Sequence, residues 1–284
     1  MNVQVVETGA SVLVQDRGRP GWAHLGVPRS GALDAPAAAL ALRLVGNDPG
    51  DACLEVVLGG LTVVCDAGVW AAVTGARCPV ELDGRPAAFG EAVWLGAGAR
   101  LRLGRPASGL RSYVAFAGGV AVQPVLGSRS TDTLGRVGPA PVQAGDLLPL
   151  GRPVGSPPGG ADTPRPPATG PLRLTAGPRA DRVAGDVLDR LCRTTYAVSP
   201  DSDRVGLRLV GEPLPLARTD ELPSEGIVLG SVQVPPDGRP VVFLADHPTT
   251  GGYPVVAVVD EADLWQCAQV RPGETVRFTR AARH

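Results

Sequence analysis

Hydrophobic positions in this chain recur mostly with a period of two and in short runs. "VQVVETG" and "SVLVQD" alternate apolar and polar residues, the signature of half-buried strands. "LEVVLGGLTVVCD" and "VWAAVTG" are short apolar runs cut by glycine. "CPVELDGRPAAF" places Asp-Gly between two strand candidates, and "GSVQVPPDGRPVVFLAD" repeats the device with Pro-Pro-Asp-Gly; both predict hairpins. Many short strands joined by glycine-rich turns predict a mainly β protein of barrels or sandwiches. The stretch "ADHPTTGGYPVV", Ala245 to Val256, lies between two apolar runs. It reads as a strand-to-strand connection, either a hairpin loop or the wall of a site.

Few segments carry a helical period. "DAPAAALALRLVGN" has Asp34 as an N-cap type and Pro36 in its first turn. "RADRVAGDVLDRLCR" sets Val183, Val187, Leu188 and Leu191 along one helical face, and "DEADLWQCAQV" is a third short candidate capped by Asp260. The expected role of each is to plug or flank a barrel.

The clearest boundary is "GRPVGSPPGGADTPRPPATGP", Gly151 to Pro171, which is rich in Pro and Gly and has no apolar period. It divides the chain into a domain over 1–150, a linker over 151–171 and a domain over 172–284. "QAGDLLPLG" and "RPGETVRFT" share a turn glycine, an acidic residue and then alternation, near the ends of the two parts; "GAGARLRLG" is similar but lacks the acid. Two related β domains explain this echo, and so does the commonness of turn-then-strand sequences.

Composition narrows the chemistry. Hydrophobic residues make up 44% of the 284, enough for a sizeable core, and the formal net charge of −1 gives no reason to expect nucleic acid or a membrane surface. All 27 basic residues are Arg; there is no lysine. A P-loop and a Schiff-base enzyme are thereby excluded, and biotin cannot be attached to this chain. The five cysteines lack C-x-x-C spacing and have apolar neighbours, as in "TVVCDA", which predicts reduced, buried thiols. No N-terminal targeting pattern is visible, and no apolar run approaches the roughly 20 residues of a transmembrane helix; the expected location is cytoplasmic.

Of the three histidines, His24, His247 and His284, no spacing forms a metal site, and no metal is expected. G-x-S-x-G and H-E-x-x-H are absent. What remains is a set of polar clusters in apolar context. "VQDRGRPGWAHLGVPRSGALD" holds Gln15, Asp16, Arg29, Ser30 and Asp34. "VLGSRSTDTLG" holds Ser128 to Thr133, "VSPDSDRVGLRL" holds Ser199 to Arg204, and "ELPSEGIVLGSVQVPP" holds Glu225 and Gln233. Each reads either as a turn network or as part of a site for a polar substrate bearing a carboxylate or phosphate. Asp16, Glu225 and Asp246 are candidates for proton transfer if burial raises a pKa.

These clusters, together with "LVGNDPGDACLEVVLGG", "YVAFAGGVAVQPVLGSRSTDTLG", "SEGIVLGSVQVPPDGRPVVFLADHPTTGGYPVVAVV" and "AQVRPGETVRF", resemble the C subunit of bacterial 5-oxoprolinase. The family is also called KipA or allophanate hydrolase subunit 2, and is similar to one half of the carboxyltransferase region of urea carboxylase. The resemblance implies two tandem cyclophilin-like β-barrel domains with a few short helices. It implies a B subunit similar to KipI as heteromeric partner, a separate A subunit for full activity, and ATP with Mg2+ used by the assembled enzyme to open 5-oxo-L-proline to L-glutamate. Carried over by motif, Glu225, Arg204 and Asp246 are the catalytic candidates. Gln15, Asp16, Ser30, Asp34, Arg129, Gln233, Thr250, Gly251, Gly252 and Tyr253 are the substrate-binding candidates. Many relatives read Gln-Thr-Thr-Gly-Gly-Tyr-Pro-Lys after the Asp; here Pro248 and Val255 replace the Gln and the Lys, so Arg204 or Arg29 is expected to take over an anion contact. Two other functions fit the resemblance: the carboxyltransferase half of a biotin-dependent urea carboxylase, with biotin on another chain, and a regulator that binds a kinase inhibitor.

Overall fold

The computed structural model describes residues 1–153, 170–218 and 220–282. Positions 154–169 of the expected linker lie outside the described residues, as does His284. The chain forms two compact units. The first holds Met1–Arg19, Ser30–Asp132 and the chain from Arg136; the second holds Pro20–Arg29, Thr133–Gly135 and the chain from Ala168. Two short excursions from the first part of the sequence thus group with the second unit.

The first unit contains β1 (Asn2–Glu7), β2 (Ser11–Gln15), α1 (Ala35–Leu44), β3 (Cys53–Val57), β4 (Thr62–Cys65) and β5 (Val69–Gly75). It continues with β6 (Val80–Leu82), β7 (Arg85–Pro86), β8 (Ala92–Leu95), β9 (Arg100–Leu103), β10 (Arg111–Phe116) and β11 (Leu147–Pro149). These strands make two antiparallel sheets, β11-β1-β4-β9-β6-β7 and β2-β3-β10-β5-β8. Of the two expected barrels, a second is not shown here: the strands of this unit fall into two sheets over one core. The chain changes sheet between β3 and β4 at Gly59-Gly60, where the unit gains a second layer instead of a continuous ladder.

Burial follows the layers. In β9, Arg100 and Arg102 are exposed while Leu101 and Leu103 are buried, as expected of a sheet with one wet face. Every residue of β10 is buried, because α1 packs over β3, β5 and β10 and joins the same core. Asp34 caps α1 as the sequence predicts, its carboxylate accepting from Ala37 N–H at 2.9 Å. Beneath this helix start lies a buried polar network that sequence reading missed. Glu55 accepts from Tyr113 Oη–H at 2.9 Å and from Leu33 N–H at 3.0 Å, with Arg111 Nε at 3.4 Å. The Tyr113 oxygen in turn accepts from Asp34 N–H at 2.8 Å. Glu55 is fully buried, so these partners replace its hydration.

The second unit contains β12 (Leu172–Ala176), α2 (Val187–Arg193), β13 (Tyr196–Val198), β14 (Gly206–Val210), β15 (Glu225–Gly226) and β16 (Ser231–Gln233). After these come β17 (Val241–Phe243), β18 (Thr250–Gly251), β19 (Val255–Val259), α3 (Leu264–Cys267), β20 (Thr275–Val276) and β21 (Phe278–Arg280). Eight strands run in the order β20-β13-β14-β17-β16-β19-β12-β21. The two edge strands, β20 and β21, are separated only by Arg277, so the sheet curls into a nearly closed barrel. Tyr196 and Phe278 meet edge to face inside it, 5.9 Å apart.

Local turn chemistry behaves as read. β6 and β7 pair across Asp83 and Gly84, both at positive φ (49° and 76°), the geometry of a type I′ hairpin. The echo is structural too. Gln143 N–H donates to the Asp146 carboxylate and Arg271 N–H to the Glu274 carboxylate, both at 2.8 Å, with a left-handed glycine between in each case. "GAGARL" makes the same turn without the acid, Ala99 N–H donating to Gly96 O at 3.0 Å. Two expectations change. Val183 follows a 3-10 turn in extended conformation, so α2 begins at Val187 with Asp186 as its cap. The Ala245–Val256 stretch is not a hairpin, because β17 and β19 pair with opposite edges of β16; the chain crosses over that strand.

All five thiols are free, four of them buried, and burial pushes each of them up from its ordinary pKa, Cys65 to about 11 and Cys267 to about 12. Replacing Tyr113 with Phe removes the acceptor that Asp34 N–H uses here and one of the donors to Glu55. The expected cost is about 1–3 kcal/mol, read as a lowered denaturant midpoint with an unchanged slope.

Candidate functional site

Most candidate residues gather into three groups, one in the first unit and two in the second. In the first unit the centre is Asp16, just past the end of β2. Its carboxylate accepts from Gly18 N–H (2.7 Å), Ser128 Oγ–H (2.6 Å), Ser130 Oγ–H (2.6 Å) and Arg129 N–H (2.6 Å). Gln15 Nε2 and Ser30 Oγ both donate to Thr131 O at 2.9 Å, and Ser30 holds a left-handed φ of 56°. Arg129 Nε donates to Val122 O at 2.9 Å. Thus Gln15, Asp16, Ser30 and Arg129 converge on Ser128–Thr131, while Asp34 stands apart as the helix cap. Four hydrogen bonds to this one carboxylate fasten the loop.

In the second unit the centre is Asp246, which is completely buried. It sits just beyond the paired ends of β14 and β17, where Asp246 N–H donates to Arg204 O at 3.0 Å and continues the ladder. That register brings the side chains together. Arg204 Nε donates to Oδ2 at 2.9 Å and Nη2 to Oδ1 at 3.1 Å. Thr133 adds its N–H (2.9 Å) and Oγ1–H (2.7 Å) to Oδ2. The guanidinium of Arg204, one of the two arginines expected to take over an anion contact, is buried and paired with Asp246. Arg29 is exposed and makes no ion pair among the described residues. The neighbouring Ser199–Asp203 segment is a turn network, with Ser202 Oγ bonding Arg208 and Asp203 Oδ1 accepting from Val205 and Gly206 N–H.

A second group lies on the two-stranded ribbon of β15 and β18, where Glu225 pairs with Gly251 and Gly226 with Thr250. Gly251 carries no side chain because a Cβ there would meet Ile227 Cδ1 at 2.7 Å and Gln233 Nε2 at 3.1 Å. Gln233, the last residue of β16, lies where β19 bulges between Ala257 and Val255, and its Nε2 donates to Tyr253 O at 2.9 Å. A bulge re-aims side chains in this way. Thr250, Gly252 and the Tyr253 ring are exposed. Glu225 does not show the pKa rise expected of a buried acid. Arg179, which sequence reading missed, clamps both its oxygens and holds the carboxyl below the usual range.

His247 follows Asp246. Its Nδ1–H donates to Pro248 O at 2.7 Å, its ring lies 6.2 Å from that of Phe243, and only 7% of the residue is exposed. Burial lowers its pKa from the ordinary value, so the ring is neutral at pH 7.

Breaking the two ion pairs has unequal consequences. Arg204→Ala leaves Asp246 buried beside two Thr133 donors and without its cation, and is expected to lower stability by about 3 kcal/mol or more. Glu225→Ala breaks a partly exposed pair and is expected to leave the melting temperature close to that of the wild type. Thermal unfolding of both variants checks this, and an unchanged Arg204→Ala protein would contradict the structural weight given to the buried pair.

Compared with known proteins, residues 25–280 match the family described as "Carboxyltransferase domain, subdomain A and B". The chain is 37% identical over 283 residues to the C subunit of 5-oxoprolinase from Escherichia coli (strain K12), covering 99% of this chain and 91% of that protein. It superposes on the crystal structure of TTHA0988 with a TM-score of 0.89 and 42% identity, covering 98% of this chain and 55% of that one. On the K. lactis urea amidolyase the TM-score is 0.91 with 29% identity, covering 99% of this chain and 19% of that one. The chain thus spans about half of the first solved structure and about a fifth of the second. It belongs to the carboxyltransferase subdomain A and B family, and within it to the family of the 5-oxoprolinase C subunit.

Proposed function

We propose that this chain is the C subunit of an ATP-dependent 5-oxoprolinase, opening 5-oxo-L-proline to L-glutamate together with a KipI-like B subunit and a separate A subunit. The observation that carries the reading is the near full-length match, 99% of this chain and 91% of its E. coli 5-oxoprolinase relative. An amide resists water because its nitrogen lone pair is delocalised into the carbonyl. A protein that opens one must position the ring, place donors where oxygen charge develops and deliver a proton to nitrogen.

The residues supply parts of this. The rigid Arg204–Asp246–Thr133 cluster fixes the crossover that carries Thr250 to Tyr253. The exposed Thr250 hydroxyl, the backbone at Gly252 and the half-exposed Tyr253 ring offer polar and flat surfaces to a small cyclic amide. Exposed Arg29 offers charge to a carboxylate.

Among the described residues no group of three or more His, Cys, Asp or Glu is placed to hold a metal ion. ATP with Mg2+ is assigned to the assembled enzyme. Among the described residues no helix is long and apolar enough to cross a membrane.

A second reading, the carboxyltransferase half of a biotin-dependent urea carboxylase, is supported by the likeness to the K. lactis urea amidolyase. With no lysine in this chain, biotin would have to arrive on another chain or domain.

Co-production of this chain with an A and a B subunit tests the choice. The expected result is ATP-dependent glutamate release from 5-oxoproline that disappears when this chain is omitted. No release, with carboxyl transfer from a biotinylated carrier to urea instead, would replace the first reading with the second.

A further inference from the structure

The three carboxylates that could move a proton are all committed. Asp16 accepts four hydrogen bonds, Asp246 is held by Arg204 and Thr133, and Glu225 is clamped by Arg179. An acceptor whose lone pairs are all engaged by fixed donors is a poor base, because protonation must first break those bonds.

His247 is different. Its Nδ1 donates to a carbonyl, so Nδ1 carries the proton and Nε2 carries the lone pair. Packing near Phe243 and the bond to Pro248 O fix the plane of the ring. Nε2 has no partner among the described residues, yet it is not among the buried unsatisfied atoms, so it is the open part of an otherwise buried ring. The charged group that acts on the ring is Asp246, itself neutralised by Arg204. Desolvation opposes protonation more strongly than Asp246 favours it, keeping the lone pair available at neutral pH. The ring also sits three residues before Thr250, on the same crossover as the exposed Thr250–Tyr253 surface.

We propose that His247 is the proton-transfer residue of this chain, acting through Nε2. This rests on the 5-oxoprolinase reading and adds the group that shuttles the proton. ATP used by the assembled enzyme would supply the activation of the amide; this chain's part is the proton. Water attacks the amide carbon and its oxygen bonds to that carbon while one water proton passes to Nε2. The C–N bond then breaks with its electron pair going to nitrogen. The imidazolium returns the proton to that nitrogen, leaving a carboxylic acid and an amine and a neutral His247.

Two measurements test it. Nitrogen-detected NMR of the full chain should show His247 as the neutral Nδ1–H tautomer with a pKa below the ordinary 6.5; the Nε2–H tautomer, or a pKa at or above that value, overturns the proposal. In the assembled enzyme, His247→Ala and His247→Gln should each lower kcat by about 100-fold or more with KM nearly unchanged. Both should abolish the acidic limb of the kcat profile, with the bulk-preserving His247→Gln variant melting close to the wild type. Wild-type glutamate release matched within about threefold by both variants overturns the role of His247 alone. No glutamate from the wild-type assembly overturns the 5-oxoprolinase reading on which the role rests.

Discussion

A carboxylate taken out of water must be met by a cation, by hydrogen-bond donors or by both, and this chain has only arginine for the first. The consequences run through both units. Glu55 sits under the start of α1 because Tyr113, Leu33 N–H and Arg111 surround it. Asp246 can lie beyond the ends of β14 and β17 because Arg204 comes from the facing strand end. Asp16 does without a cation by collecting two hydroxyls and two backbone N–H groups. Arginine keeps its charge at any ordinary pH and presents a planar fork, so the Arg204–Asp246 pair has a fixed geometry as well as a fixed sign.

The same constraint separates scaffold from chemistry. Most of the polar motif residues hold backbone in place: Asp34 at a helix start, Asp203 in a turn, Gln233 at the Tyr253 carbonyl. A motif is shared among relatives for either purpose, and only geometry tells the purposes apart. The crossover between β17 and β19 carries the exposed Thr250 and Tyr253 and the largely buried His247.

What the sequence revealed was local. Asp83-Gly84, the caps at Asp34 and Asp260, and the paired acidic turns at Gly145 and Gly273 are each decided within a few residues. Non-local pairing was not legible in this way. Nothing within "FLADHPTTGGYPVV" says that its flanking strands attach to opposite sides of β16. Nothing near Glu225 announces Arg179, which lies far from it in sequence. Glu55 offered a faint signal, a lone acid inside the apolar run "CLEVV", which makes sense only once Tyr113 and Arg111 are beside it. The resemblance to relatives singled out stretches of chain but assigned no jobs within them.

The nearly closed barrel of the second unit carries a consequence for how the chain is made. Its first strand, β12, is flanked by β19 on one side and by β21 on the other. On a ribosome β12 emerges roughly a hundred residues before the strand that covers its second edge, and until then that edge offers unpaired backbone to any passing strand. Circular order thus comes with delay, since the unit cannot complete its ladder until Phe278–Arg280 has been synthesised. A partner or chaperone that shields β12 during that interval would act on synthesis alone and leave no trace in the finished fold.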